Sequence, residues 1–306
     1  CWDPWLLDLF NIPASMMPEV RRSSGSFGET SYPGIPAGIP ITGVAGDQQS
    51  ALFGQCCFEP GQAKNTYGTG CFLLMHTGTD ARASKNNLVT TIAASAPEAT
   101  FIPSEKVEYA LEGSVFIAGA LVKWMVEELG ILESPAASAA VAMGVEDTNG
   151  VYVVPAFTGL GAPYWDADAR GAILGLTRGA GRAHIVRAGL ESLAYQVADL
   201  VSAMEADADR RIDVLNVDGG ASANNFILQF QADLLDTLIR RPQCTETTAL
   251  GAAYLAGLFA GFWQDTAELK SLRASDTLFR AEIDEAERAR KLAGWHEAVA
   301  RVRTQG

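Results

Sequence analysis

Only three of the 306 residues are histidine and five are cysteine. His76, His184 and His296 are too scattered to suggest a metal cluster or a catalytic triad. Cys1, Cys56, Cys57, Cys71 and Cys244 are too few and too irregularly placed for a disulfide framework or a zinc site, and they read as reduced thiols of a cytoplasmic protein. Long apolar runs are also missing: the most apolar stretch, Leu250 to Trp263, is too short to span a bilayer and reads as a buried helix. Basic charge is scarce as well. With 23 Lys and Arg against 36 Asp and Glu, the formal net charge is −13, which argues against nucleic acid or an anionic membrane as partner, because both need a basic face. Phosphates are not excluded, since backbone N–H groups and helix dipoles bind them without net charge. The start, Cys1-Trp2-Asp3-Pro4, has no initiator Met, basic leader or cleavage-like site, so the chain reads as beginning inside something larger.

What is present suits a folded α/β protein. A composition that is 48% hydrophobic can bury a large core, as two domains or as one α/β unit with extensions. Residues 1–40 are irregular and rich in Pro, Gly and Ser, with one short helical stretch near Trp5–Phe10. Ile41 to Gly46 reads as a small-residue strand running into a helix that starts at Asp47. Ala63–Tyr67 and Cys71–His76 are strands joined by the tight turn Gly68-Thr69-Gly70, and Asn87–Ala94 and Lys106–Leu111 are two further extended segments. Phe116, Leu121, Val122, Met125, Val126 and Leu129 fall on one helical face that Gly130 ends. Then come a buried-type strand at Val151–Pro155, a helix from His184 to about Glu205, a strand at Ile212–Val217, and a helix capped by Ser222. A charged amphipathic helix, Ala281–Arg303, closes the chain with Trp295 on its apolar side and its charges on a solvated face.

Three strands, helix, strand, helix, strand, helix is the order of the actin-like, ribonuclease-H-like ATPase fold. One complete copy fits, preceded by the tail end of another. The expected division is a remnant of an N-terminal domain at 1–56, a nucleotide-binding domain at 57–265 and a helical extension at 266–306.

Three glycine-rich points could meet a phosphate: Gly68-Thr69-Gly70, Gly119, and Gly219-Gly220. Glycine lets backbone N–H groups approach an anion, and Thr69 adds a hydroxyl. Each alone is weak, because most Gly pairs simply make turns; together, at strand ends of one α/β pattern, they point to nucleotide. Asp47 reads either as a general base for an attacking hydroxyl or as a helix N-cap worth roughly 1 kcal/mol, and spacing alone favours the cap. Gln48 and Gln49 beside it can hydrogen-bond polyols. Asn224 can meet a base or ribose, or can simply be satisfied near a helix start.

Several segments closely resemble the glycerol kinases of the FGGY carbohydrate kinase family: Gly46-Asp47-Gln48-Gln49, the run from Lys64 to Phe72, Asn149 to Asp166, Gly171 to Arg178 with His184-Ile185 and Leu190-Glu191-Ser192, and Val217 to Phe226. The likeness covers nearly the whole chain. It implies transfer of the ATP γ-phosphate to glycerol with Mg²⁺, with Asp47 as the catalytic base that also binds glycerol. Gln48 is implied as a contact to a glycerol hydroxyl and Phe72 as a contact to its carbon backbone. Thr69 is implied at the nucleotide phosphates, and Gly119, Gly220 and Asn224 around the nucleotide. Lys123 stands where the family commonly has Gln and reads as solvent-facing. The loop Pro33–Gly38 lacks the Arg that binds an allosteric sugar bisphosphate in some members and the His that is phosphorylated in others. Homo-oligomers are a further implication. Another FGGY sugar kinase and a non-catalytic nucleotide-binding module are the competing readings; retention of Asp47 and Gln48 weighs against the second.

The family's first phosphate loop and the Arg-Glu pair, Trp and Tyr that hold glycerol have no counterpart here. Phosphoryl transfer depends mostly on positioning and charge stabilisation. The expectation is therefore little or no kinase activity from this chain alone, checked by its turnover of glycerol and MgATP; a robust turnover number would refute it.

Overall fold

The structure is a computed structural model that describes residues 1–96, 107–273 and 276–304. Its elements are α1 (Pro4–Leu9), α2 (Asp47–Gly54), β1 (Ala63–Tyr67), β2 (Cys71–Gly78), β3 (Val89–Ile92), β4 (Tyr109–Val115), α3 (Gly119–Glu127), α4 (Ser138–Met143), β5 (Tyr152–Val154) and β6 (Ala172–Leu174). They continue with α5 (Arg182–Ala208), β7 (Val214–Asp218), α6 (Asn225–Leu235), β8 (Leu238–Arg241), α7 (Thr247–Phe259), α8 (Thr266–Ser271), β9 (Thr277–Phe279) and α9 (Glu285–Val302). Seven strands form one sheet in the order β3-β4-β2-β1-β7-β8-β9. Its centre, β4-β2-β1-β7-β8, has three antiparallel strands followed by two parallel ones, the arrangement expected of an actin-like ATPase domain.

Alternation along β1 and β2 divides the core between the two faces of the sheet. Tyr67, Leu73 and Met75 face the larger cluster, against Leu193, Val197 and Leu200 of the 27-residue α5. Leu74 and Ala110 face the other way, against Leu52 of α2 and Cys57. Helix α2 in turn packs on α7. A Cβ on Gly54 or Gly251 would run into the main chain of the facing helix, so these glycines let the two backbones touch, and Ser50 Oγ donates to Thr248 O across the contact at 2.7 Å. The C-terminal helix seals the far end: Trp295 is fully buried, stacked on Tyr195 at 5.2 Å.

Several expectations need correction. Ile41–Gly46 is no regular strand; its partners are the preceding loop, through the isolated bridge Ser24–Gly43 and bonds such as Phe27 N to Ile41 O and Val44 N to Ser23 O. The strand at 152–154 does not enter the main sheet but pairs with β6 in a hairpin of its own. The fourth strand of the core is therefore β7, and the fifth, β8, is a four-residue segment that the sequence pattern did not mark. Phe116 precedes α3 and lies edge-on to Trp165 at 6.2 Å. Asn224, not Ser222, caps α6, accepting from Phe226 N and Ile227 N, while Ser222 Oγ turns back to Gly219 O at 2.6 Å. Helix α7 stops at Phe259 and is buried on one face only, with Phe259 and Phe262 exposed. On α9 not every charge is solvated: Arg288 Nε donates to Asp233 O at 2.8 Å, and the Lys291 ammonium lies over the Phe230 ring. Lys106 lies outside the described residues.

Burial pushes the thiol of Cys56 up to about 11 and those of Cys57 and Cys71 up to about 12. All three stay neutral in the fold at a pH where they ionise in the unfolded chain. Their contribution is thus complete below about pH 9 and lost as the pH climbs towards their folded values. Lys64, lowered to about 8, works in the opposite sense, but it is one group against three. The unfolding free energy from urea melts should fall between about pH 9 and pH 10, by about 1 kcal/mol per thiol set against the one opposing group, and Cys57→Ala with Cys71→Ala should flatten that fall.

Candidate active site

The turn between β1 and β2 is fixed by its contact with α3. Gly68 O accepts from Gly119 N at 3.0 Å, and Thr69 O accepts from Ala118 N and Ala120 N at 2.8 and 3.2 Å. A Cβ on Gly119 would lie 2.6 Å from Gly68 O, so glycine here permits the close approach of helix and turn. Its amide is engaged by the turn and does not point to an anion, which revises the role expected of it. The side chain of the exposed Thr69 remains available, with no hydrogen-bond partner among the described residues.

A cavity of about 910 Å³ opens beside this junction, lined by Thr69, Gly119, Gly220 and Asn224 among others. Four of the residues expected at a nucleotide, drawn from three separate stretches of sequence, therefore meet at one cavity. The two glycines at the end of β7 divide the work. Gly219 sits at φ +82°, with space for a Cβ blocked by Tyr67 O at 2.5 Å, whereas a Cβ on Gly220 would meet nothing within 4 Å. Asn224 has its carboxamide partly committed: Oδ1 caps α6, and one Nδ2 hydrogen goes to Ser138 Oγ at 3.2 Å, leaving the second without a partner among the described residues. The structure shows the satisfied helix start and also sets Asn224 at the cavity wall. Lys123 lines the rim, its side chain 69% exposed and 3.7 Å from Glu127.

Asp47, Gln48 and Phe72 form a second group, on the sheet face covered by α2. Gly46 is the N-cap of that helix, so Asp47 is its first residue and not its cap. The exposed Asp47 carboxylate accepts from Gln48 N at 2.8 Å and from Gln48 Nε2 at 3.3 Å. Phe72 pairs in register with Thr66 and is exposed at the mouth of the β1–β2 hairpin. What joins these residues is Lys64. Its ammonium, on a fully buried side chain, donates to Gln48 Oε1, to Thr66 Oγ1 at 2.9 Å and to Phe72 O at 3.2 Å. The next residues along the hairpin, Tyr67 to Thr69, line the cavity, so the two groups share one hairpin.

Sequence reasoning passed over Lys64 and Asp218. Lys64 stands among core positions of a strand, where a lysine needs a reason; that was the available signal. Asp218, read as part of a turn, is 1% exposed and accepts from Gln55 Nε2 at 2.7 Å and from Thr247 Oγ1. It ties the end of α2 and the start of α7 to β7. Among the described residues no group of three or more His, Cys, Asp and Glu could hold a metal ion, and no helix is long and apolar enough to cross a membrane.

The C-terminal domain of the FGGY family of carbohydrate kinases matches residues 63–260, and the family's N-terminal domain matches residues 1–54. This chain belongs to that family. It is 56% identical over 299 residues to the glycerol kinase of Lachnoclostridium phytofermentans and 55% identical over 303 residues to glycerol kinase 2 of Pseudomonas aeruginosa. These alignments take in 98% and 99% of the chain but 58% and 59% of those proteins, so the chain spans about three-fifths of the curated relatives it matches. Among solved structures, Plasmodium falciparum glycerol kinase with ADP superposes with a TM-score of 0.91 at 40% identity, covering 100% of this chain and 60% of that one. A ligand-bound xylulose kinase from Lactobacillus acidophilus superposes at 0.79 with 20% identity, covering 99% of this chain and 60% of that one, a likeness of fold. The actin-like fold of the FGGY kinases is thus the fold of this chain.

The two glycines of β7 give a paired prediction. Gly219→Ala should lower stability by about 2 kcal/mol, because it adds a positive-φ strain to a main-chain clash. Gly220→Ala should stay within about 0.5 kcal/mol of the parent. Thermal melts of the two variants check both; equal losses would contradict the assignment.

Proposed function

We propose that this chain is the nucleotide-binding and base-bearing portion of a glycerol kinase, with residues 1–56 as the end of an N-terminal domain, 57–265 as the C-terminal nucleotide-binding domain and 266–306 as a helical extension. The observation that carries this reading is convergence: Thr69, Gly119, Gly220 and Asn224 surround one cavity, and the hairpin that supplies Thr69 also holds Phe72 and, through Lys64, Gln48 beside Asp47. The identity of 56% to a glycerol kinase of Lachnoclostridium phytofermentans supports glycerol over a pentulose.

In this reading ATP lies in the cavity. The open space at Gly220 fits a ligand that comes close to the main chain, and the free Thr69 hydroxyl reaches a phosphate oxygen. Glycerol lies against Phe72, with a hydroxyl on Gln48. Asp47 accepts the proton of a terminal hydroxyl as that oxygen forms a bond to the γ-phosphorus. The bond from that phosphorus to the bridging oxygen breaks, giving ADP and sn-glycerol 3-phosphate. Asp47 is suited to the task because it is exposed and, among the described residues, its carboxylate accepts hydrogen bonds only from Gln48, which leaves acceptor capacity on the carboxylate. Mg²⁺, when bound, neutralises charge on the transferring phosphates; it would arrive on the nucleotide, since the described residues offer no cluster of ligands for a resident ion. The five unpaired cysteines support a cytoplasmic setting, and homo-oligomeric assembly belongs to the same reading.

The test is glycerol-dependent ADP formation from MgATP, with the chain fused to the upstream part of a relative such as P. aeruginosa glycerol kinase 2. Asp47→Ala should cut turnover by about 10²–10⁴-fold with an unchanged melting temperature. ADP formation from xylulose or gluconate in place of glycerol would replace the substrate, and nucleotide binding without any transfer would reduce the chain to a binding module.

A further inference from the structure

The buried cation at the centre of the second group is not accounted for by packing. Lys64 sits on the central strand β1, opposite Leu74 of β2 and Asn216 of β7, and its side chain is fully buried. Taking an ammonium out of water is costly unless it is paired and hydrogen-bonded. Here all three of its protons have acceptors, and each acceptor belongs to the proposed glycerol side of the site or to the strand that presents it: Gln48 Oε1, Thr66 Oγ1 and Phe72 O.

A charged lysine has donors and no acceptor. The group on Gln48 that meets it must therefore be the carboxamide oxygen, whichever way the amide is built. The amide nitrogen is then forced to the other side, where Asp47 Oδ2 receives it at 3.3 Å. The order ammonium, carboxamide, carboxylate leaves one orientation for Gln48 and presents the carboxylate edge of Asp47 next to an N–H donor. We propose that Lys64 is a positioning residue, whose buried ammonium locks the Gln48 carboxamide with its nitrogen towards Asp47 and so fixes how the pair meets a substrate hydroxyl. The substrate half of this inference rests on the function proposed above; the lock itself does not.

The groups facing the ammonium come from every element around it: Asp218 of β7, Glu112 of β4, Cys57 after α2, and Asp47 of α2. Burial lowers the ammonium to about 8 against the three carboxylates, which act to raise it, while the Cys57 thiol is pushed up to about 12. Lys64 thus loses its proton in mildly alkaline solution. Once neutral, its nitrogen carries a lone pair, accepts as well as donates, and no longer dictates the orientation of Gln48.

The experiment follows the Gln48 side-chain amide by nitrogen–proton NMR in the full 306-residue chain, with resonances assigned by their loss in Gln48→Met. Between about pH 7 and pH 9.5 these resonances should move with a midpoint near 8, and the movement should vanish in Lys64→Met. Resonances that stay still in the parent chain overturn the lock, as does a titration that survives Lys64→Met. Should Lys64→Met fail to fold, Lys64→Arg, whose guanidinium keeps its proton throughout this range, stands in for it. Adding glycerol to the same proteins, each fused to the upstream part of P. aeruginosa glycerol kinase 2, then separates the lock from the function. Glycerol shifts of the Gln48 amide that weaken about 10-fold or more in Lys64→Met support both. Glycerol shifts that are equal in the two proteins overturn the positioning role. A pH-dependent Gln48 amide that ignores glycerol in the parent fusion sinks the function proposed above and leaves the lock standing.

Discussion

The ammonium of Lys64 and the carboxylate of Asp218 are buried in adjoining strands of one sheet, and the arrangement of the site depends on satisfying both. Asp218 has its oxygen occupied by Gln55 at the end of α2 and Thr247 at the start of α7. Lys64 has its protons taken by Gln48 at the beginning of α2 and by the β1–β2 hairpin. Helix α2 is therefore held at both ends by buried charge, while Gly54 and Gly251 let it lie backbone to backbone against α7. An unpaired buried charge costs several kcal/mol, so displacement of α2 exposes or orphans one of these groups. Asp47 inherits its place from that clamp.

The same hairpin serves both halves of the site because a β-strand sends alternate residues to opposite faces. Tyr67, Leu73 and Met75 anchor it to α5, and Lys64, Thr66 and Phe72 turn towards α2. At the turn α3 covers one side, and the exposed Thr69 stands between the cavity and the group of Asp47, Gln48 and Phe72. The carbonyls of Gly68 and Thr69 cap the start of α3, so the turn is rigid where a phosphate would have to be met. Positioning of this kind is what phosphoryl transfer asks of a protein.

Much of this was legible in the sequence. The strands read at 63–67 and 71–76, the long α5 and the terminal helix follow from periodicity that repeats over enough residues to outweigh local noise. The segments around Gly68, Gly119 and Gly220 to Asn224 were legible as candidates, and the fold brings them to one cavity. Short or irregular pieces were not. Leu238–Arg241 is too brief to carry a pattern, and Tyr152–Val154 in its hydrophobic run looks like a core strand although it pairs only with Ala172–Leu174. No local rule tells a strand which neighbour it will have.

The sequence by itself determined the family, the fold class and which residue types are available for chemistry, because those are written in local runs that keep their meaning wherever they pack. Tertiary structure alone decided what each residue does there. It made Asn224 a cap, Gly119 a point of close approach, Gly220 an open edge of the cavity and Lys64 the link from Gln48 to Phe72. The physical reason is that these roles are contacts between segments far apart in the chain, and burial, which sets the worth of a charge or a hydrogen bond, exists only once those segments have met.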